Sequence, residues 1–267
     1  MTFDLGPALL FVPADRTERL AKALERADAA ILDLEDAVSA DAKPSARAAM
    51  IAADPDPERV IVRVNGPGTP DFALDLEALA RTRVRRVMVA KAEDAASLAS
   101  LEGYEVIALC ETARGVVHAE QLAALPQVVA LMWGAEDLVA SLGGTSSRRD
   151  DGGYRDVARL ARARVLLAAG ASGKRAIDAV HVDIADLDGL SDEARDAAAS
   201  GFAATACIHP GQVATIRAAY APSAAQVAWA RGVLEAAEGE RGVFRHEGRM
   251  IDEPILRHAR SVVARAG

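Results

Sequence analysis

Eight short apolar runs in this sequence each deliver polar or charged residues at or just beyond their C-terminal end. Ala8–Val12 leads into Pro13, Ala14, Asp15 and Arg16. Ala30–Leu34 carries Asp33 and is followed by Glu35 and Asp36, and Val60–Val64 carries Arg63 and is followed by Asn65. Lys91 follows Arg86–Ala90, and Glu111, Thr112 and Arg114 follow Val106–Cys110. Glu136 and Asp137 follow Val128–Met132, His181 and Asp183 mark the end of Asp178–Val182, and His209 follows Ala204–Ile208.

A carboxylate in an apolar strand-to-helix turn is costly unless it is paired or bound to a cation, and several converging on one mouth also repel one another. A divalent metal relieves both costs. The donors are oxygens without a His or Cys cluster, which points to Mg2+, with Mn2+ as the alternative. Mg2+ takes one or two carboxylates and completes its shell with water or substrate oxygens. Glu111 and Asp137, after adjacent strands, can bracket one such ion, while Arg63 and Lys91 supply positive charge for an anionic substrate or a developing oxyanion. Structural roles compete with these. Asp33, Glu35 and Asp36 can cap the next helix or pair with Lys43 and Arg47. Arg63 can pair with Glu111 or Asp137. Lys91 reads first as an ion-pair partner and only second as a Schiff-base lysine. His209, before Pro210, reads as a loop or helix-start residue, Cys110 and Cys207 as core, and Met132 and Trp133 as packing at the rim. Gly170–Lys174 lacks the spacing of a phosphate-binding loop, and no GxGxxG follows a strand.

Residues so placed need a scaffold that brings strand ends together. Between the runs, apolar residues recur at helical spacing, as at Leu20, Ala23, Leu24 and Ala27. Alternating buried strands and helices form parallel βαβ units, and a count of eight predicts a closed (β/α)8 TIM barrel with its chemistry at the C-terminal strand ends. Two further helical segments, Ser223–Glu238 and Glu253–Arg265, flank a polar, turn-rich stretch at Gly239–Met250. The expected division is therefore a catalytic barrel over 1–221 and a C-terminal helical extension over 222–267, packing on the barrel or on a neighbouring subunit. Ala140–Tyr154 is polar and Gly-rich, the mark of a functional or mobile loop.

The composition is that of a globular protein: 267 residues, 51% hydrophobic, 26% charged and 4% aromatic. A net charge of −8 without a basic stripe argues against a nucleic-acid partner. No apolar run reaches the roughly 20 residues of a membrane span. Two cysteines make no disulfide framework, and the first residues lack the positive region of a signal peptide, so the reading is of a soluble, cytoplasmic protein.

The segments LFVPADRTERLAKA, AILDLEDAVSADAKPSAR, VIVRVN, VIALCETARGVV, LMWGAEDLVASLGG, CIHPGQV and GRMIDEPIL, in this order and spacing, resemble the citrate lyase beta subunit-like family over nearly the whole chain. That family includes malyl-CoA and citramalyl-CoA lyases, and the short length resembles its stand-alone, actinobacterial-type members. The resemblance implies a (β/α)8 barrel assembled as trimers or hexamers, with Mg2+ in its mouth. By the ETARG and GAED segments it implies Glu111 and Asp137 as metal ligands, Glu111 also facing the substrate. By VRVN it implies Arg63 as a substrate-binding, catalytic residue. LDLEDAV implies Glu35 and Asp36 beside the metal-bound waters. The MID segment implies Asp252 as the acid–base carboxylate that one subunit lends another, and the PADR and Arg148-Arg149 segments point toward CoA.

The implied activity is Mg2+-dependent cleavage or formation of a short β-hydroxyacyl thioester such as citramalyl-CoA or malyl-CoA. The partners are acetyl-CoA, a 2-keto acid and further copies of the chain, a homotrimer being favoured. Two other readings stand beside it: an aldolase on free 2-keto-4-hydroxy acids, and a non-catalytic acyl-CoA-binding or citrate lyase-type subunit.

Overall fold

In the computed structural model, which describes residues 3–240 and 242–266, the apolar runs close into one parallel barrel. Its strands are β1 (Ala8–Pro13), β2 (Ala29–Asp33), β3 (Val60–Val64), β4 (Arg86–Val89), β5 (Glu105–Cys110), β6 (Val128–Trp133), β7 (Arg175–Asp178) and β8 (Ala204–Cys207). Each pairs with its neighbour in sequence, and β8 pairs back onto β1. The expected TIM barrel is what forms. Helices cover the outside while side chains fill the inside, so central strands such as β2 and β6 are buried along their whole length. Leu9, Ile31, Ile61, Met88, Ile107 and Ile177 are among the residues packed in the barrel interior.

The seventh strand is a correction. It lies at Arg175–Asp178, three residues before the expected Asp178–Val182. Gly173, at φ +66°, turns the chain directly out of the helix Asp156–Ala171 into the strand. Exposed Arg175 begins it in register with Ala130, which masks the strand start in the sequence. Val180 and Val182, whose β-branching suggested a strand, lie in the following loop, where Val180 packs on the barrel core and Val182 is exposed.

The chain divides into two compact units, with the boundary between Ile216 and Arg217. In the second, the helices Ala224–Ala236 and Glu253–Arg265 bury Ala230, Val233, Ala259 and Val262 together with Ile251. The polar, turn-rich stretch between these helices contains a hairpin, β9 (Phe244–His246) antiparallel to β10 (Arg249–Ile251). Its two-residue turn is Glu247-Gly248, at φ +46° and +80°, the left-handed pair that suits strand twist. Glu-Gly is a weaker signal for that turn than Asn-Gly or Asp-Gly. No helix among the described residues is long and apolar enough to cross a membrane.

Candidate active site

The C-terminal ends of the strands surround a cavity of about 190 Å³. Its wall mixes the apolar side chains of Phe11, Leu109, Met132 and Val180 with Asp33, Arg63, Glu111, Glu136 and Asp137.

On one side the charged groups interlock. Asp33 ends β2 directly in register with Arg63 of β3. Arg63 donates to both Asp33 oxygens, Nε to Oδ1 at 2.7 Å and Nη2 to Oδ2 at 2.6 Å, a bidentate pairing. Its Nη1 lies 3.2 Å from Glu35, and its guanidinium sits 4.9 Å from the Phe11 ring centre. Asp33 also accepts the amides of Glu35 and Ala37, so the same carboxylate that orients Arg63 folds the turn carrying Glu35 and Asp36. Lys43 seals that turn from behind by donating to the carbonyls of Leu34 and Glu35 and to Asn65 Oδ1. Burial lowers the Arg63 pKa, but the Asp33 hydrogen bonds and charge outweigh it, so the net shift is upward and Arg63 stays charged.

On the other side acid is in excess. Glu111 directly follows β5, and Thr112 caps the helix Ala113–Val117 by accepting the Gly115 amide, which pins the chain just after Glu111. Asp137 lies in the first turn of the helix Ala135–Ser141, one residue of turn beyond β6. Burial first, then the Asp137 charge, pushes the Glu111 pKa up to about 8. The Glu35 carboxyl is likewise raised, by burial, against the opposing pull of Arg63 and Lys91. For Asp36 burial acts upward too, but Lys91 outweighs it and the net shift is downward. The Lys91 ammonium pairs with Glu35, lies 3.3 Å from Asp36 and 3.6 Å from Asp137.

This donor set fits a hard divalent cation. Among the described residues, the cations paired with Asp33, Glu35, Asp36 and Asp137 are Arg63 and Lys91, so with Glu111 the mouth gathers more acidic than basic side chains. Gly134, just after β6, lies against Glu111, and a Cβ there would come within 2.9 Å of Glu111 Cβ and 3.1 Å of its Oε2. Only glycine leaves that carboxylate room. Among the described residues no group of three or more His, Cys, Asp and Glu side chains is arranged to hold a metal, and a Mg2+ site built on two carboxylates needs none.

The barrel unit thus brings together Arg63, Glu35, Asp36, Glu111 and Asp137. Asp252 belongs to the second unit, where it caps the helix Glu253–Arg265 by accepting the Ile255 amide at 3.2 Å. Several expected pairings are corrected. Arg63 pairs with Asp33 and Glu35, not with Glu111 or Asp137. Lys43 binds backbone and Asn65, and Arg47 binds Asp71 and Asp75, so neither neutralises the Glu35–Asp36 turn. Trp133 does more than pack: its Nε1 donates to Asp178 at 2.5 Å. His209 caps the turn after it, and both cysteines are buried in strands, as expected. Arg148 pairs with Glu193 and stacks over Tyr154, while Arg149 pairs with Asp156. Asp33 is the residue whose role the sequence reading missed. The available signal was an acid and an arginine at the same level on consecutive parallel strands.

A closed barrel whose C-terminal mouth gathers carboxylates around a locked arginine is the architecture of a barrel enzyme. Residues 8–210 match the HpcH/HpaI aldolase/citrate lyase model, and the chain belongs to this family of carbon–carbon lyases. It is 57% identical to the citrate lyase subunit beta-like protein of Mycobacterium tuberculosis, over 98% of this chain and 96% of that one. It is 32% identical to the mitochondrial citramalyl-CoA lyase of Homo sapiens, over 97% of this chain and 85% of that one. The crystal structure of the M. tuberculosis protein CitE in complex with magnesium, acetoacetate and coenzyme A matches with a TM-score of 0.95 at 57% identity, covering 98% of both chains.

Proposed function

We propose that this protein is a Mg2+-dependent lyase that cleaves, or in reverse forms, a short β-hydroxyacyl thioester such as citramalyl-CoA or malyl-CoA, with acetyl-CoA and a 2-keto acid as the other side of the reaction. The observation that carries this reading is the pairing of Glu111 and Asp137 across one side of the cavity with a fully oriented Arg63 on the other. Magnesium, coenzyme A and a keto acid in the similar M. tuberculosis structure support it.

Glu111 and Asp137 would hold the ion, with Glu35 and Asp36 accepting from its waters. When bound, Mg2+ supplies Lewis acidity and a docking point for the carboxylate and hydroxyl oxygens of the substrate. The protein's own contribution is positional. As the C–C bond breaks, the substrate hydroxyl would give its proton to a carboxylate of the mouth and become the keto carbonyl, while the electron pair of the broken bond passes into the thioester and leaves an enolate. Two of the five N–H groups of Arg63 go to Asp33 and Nη1 also faces Glu35 at 3.2 Å, so the N–H groups left over on the Nη1 and Nη2 nitrogens would meet the enolate oxygen. Asp252 would give a proton to the enolate carbon and remove it in the condensing direction. It would do so from a neighbouring subunit, which requires a homo-oligomer, with a trimer the expected state. The apolar residues Phe11, Leu109 and Met132 exclude water from the carbanionic carbon.

Purified protein with Mg2+ should release acetyl-CoA from citramalyl-CoA or malyl-CoA, and EDTA should abolish that release. Inactivity on both thioesters with metal present would reject the substrate assignment. Cleavage of free 2-keto-4-hydroxy acids that CoA fails to inhibit would favour an aldolase instead.

A further inference from the structure

Strand β4 ends in a one-residue corner. On either side of it the barrel ladder continues: the Ala90 amide donates to Val64 at 3.2 Å and the Ala92 amide to Leu109 at 3.1 Å. Lys91 between them is left-handed, at φ +49°, a region that side chains other than those of Gly, Asn and Asp seldom adopt. Its amide therefore leaves the ladder and donates to Glu111 Oε1 at 3.0 Å. The side chain departs separately and brings its ammonium to Glu35, to Asp36 at 3.3 Å and to Asp137 at 3.6 Å. The neighbouring loop presses on this corner. A Cβ on Gly66 would lie 3.2 Å from the Ala90 carbonyl oxygen and 3.3 Å from Lys91 Cβ. Gly66 is not itself left-handed, so it is glycine here for want of space.

We propose that this corner is the positioning element of the metal site. Lys91 reacts with nothing, but it sets the mutual placement of carboxylates from three strand ends. Its N–H orients Glu111. Its ammonium orients Glu35, and through Glu35, 3.2 Å from Nη1, it steadies the Arg63 guanidinium. A strained backbone persists where its surroundings over-determine it, and such strain gathers at functional sites. Here the surroundings are β3, β5 and the Gly66 loop. The inference rests on the metal reading above, and two variants of the whole chain separate its fate from that reading.

Gly66→Ala changes no charge and touches no proposed ligand, yet it crowds the corner. Mn2+ titration followed by electron paramagnetic resonance, without substrate, should show a Kd raised about tenfold or more, the usual cost of disturbing an outer-shell partner. A purely structural role for Gly66 would lower the unfolding temperature and leave that Kd unmoved. Lys91→Met keeps the N–H and removes the ammonium. At saturating Mg2+, its kcat on citramalyl-CoA should fall by about 10–100-fold with KM little changed. Because the ammonium reaches Arg63 through its contact with Glu35, the loss in the Lys91→Met, Glu35→Gln double variant should fall well short of the product of the two single losses. A wild-type Mn2+ Kd in Gly66→Ala, or losses that multiply in the double variant, overturns the proposal. A wild-type protein that binds Mn2+ but turns over no thioester overturns only the lyase reading, and the Gly66→Ala titration then decides this one. A wild-type protein that binds no Mn2+ overturns both.

Discussion

Two clusters of charge, one around buried Asp75 and one at the mouth of the barrel, separate structure from chemistry by their difference. In the first, Arg47 Nε donates to Asp75 Oδ1 at 2.7 Å, and Asn65 gives both its amide and its side chain to Asp75 Oδ2, at 2.9 and 2.6 Å. Asp71 meets the other edge of Arg47, and Lys43 has an acceptor for each of its three protons. Asp75 is fully buried, and both its oxygens are occupied. In the second cluster, at the mouth, the Lys91 amide is the hydrogen-bond donor to Glu111 among the described residues, and Asp137 stands close enough to repel it. Matched donors and acceptors hold backbone in place. A surplus of carboxylate is a cost to the fold and becomes useful only when a cation joins it.

The comparison breaks first at Asp75. Asp75→Ala strands a buried guanidinium and the Asn65 amide, so it should lower stability by about 3–5 kcal/mol, read from denaturant unfolding. A loss under about 1 kcal/mol would mean that the first cluster is not structural. Glu111→Gln should behave in the opposite way. Metal-free protein should unfold at the same temperature or higher, because the cost of holding a carboxyl buried beside Asp137 has gone. Mg2+-dependent turnover should fall by about 10³-fold, or about 4 kcal/mol. A destabilised but active Glu111→Gln would place Glu111 in the first class. Arg63→Lys tests the boundary between clusters. Lysine keeps the charge but not the fork, and loss of an oriented oxyanion donor typically costs about 2.7–4 kcal/mol in kcat. A kcat within threefold of wild type would show that the Asp33 pairing serves the fold alone.

How much of this could be read from the sequence follows the same division. The barrel was legible because strands buried on both faces must be apolar runs, and seven of the eight expected strands fall within a residue of their observed positions. β7 was not, because it opens on an exposed arginine and the strand-like valines come after it. At the site, Glu111, Asp137, Arg63, Glu35 and Asp36 were visible as charges at strand ends. Their pairing was not, since which acid meets Arg63 depends on register, and only the Asp33–Arg63 level in adjacent strands decides it. The left-handed backbone of Lys91 has no sequence signal at all. A lysine is held there by its neighbours and not by its own preference.

A third cluster stands between these extremes and carries the smallest expected effect. His181, buried after β7, donates from Nδ1 to Glu193 at 2.8 Å and lies 3.2 Å from Asp186, while Arg148 shares Glu193. The hydrogen bond to Glu193 raises the His181 pKa above its ordinary 6.5, against the opposing effect of burial. Burial acts upward on Glu193, but the hydrogen bonds from His181 and Arg148 outweigh it and its pKa is lowered. The two directions agree, as they must for one ion pair. A raised histidine pKa gives stability that is fully present below about pH 6.5 and is lost as the pH rises through the folded value. His181→Gln keeps a polar side chain but cannot titrate. Its unfolding free energy, followed from pH 5.5 to 8.5, should lack the decline with rising pH that His181 gives the wild type. The gap between the two proteins should therefore be widest at the acid end and narrow toward the alkaline end. Parallel curves across that range would show that His181 titrates alike in the folded and unfolded chain, and that its contact with Glu193 adds no pH-dependent stability.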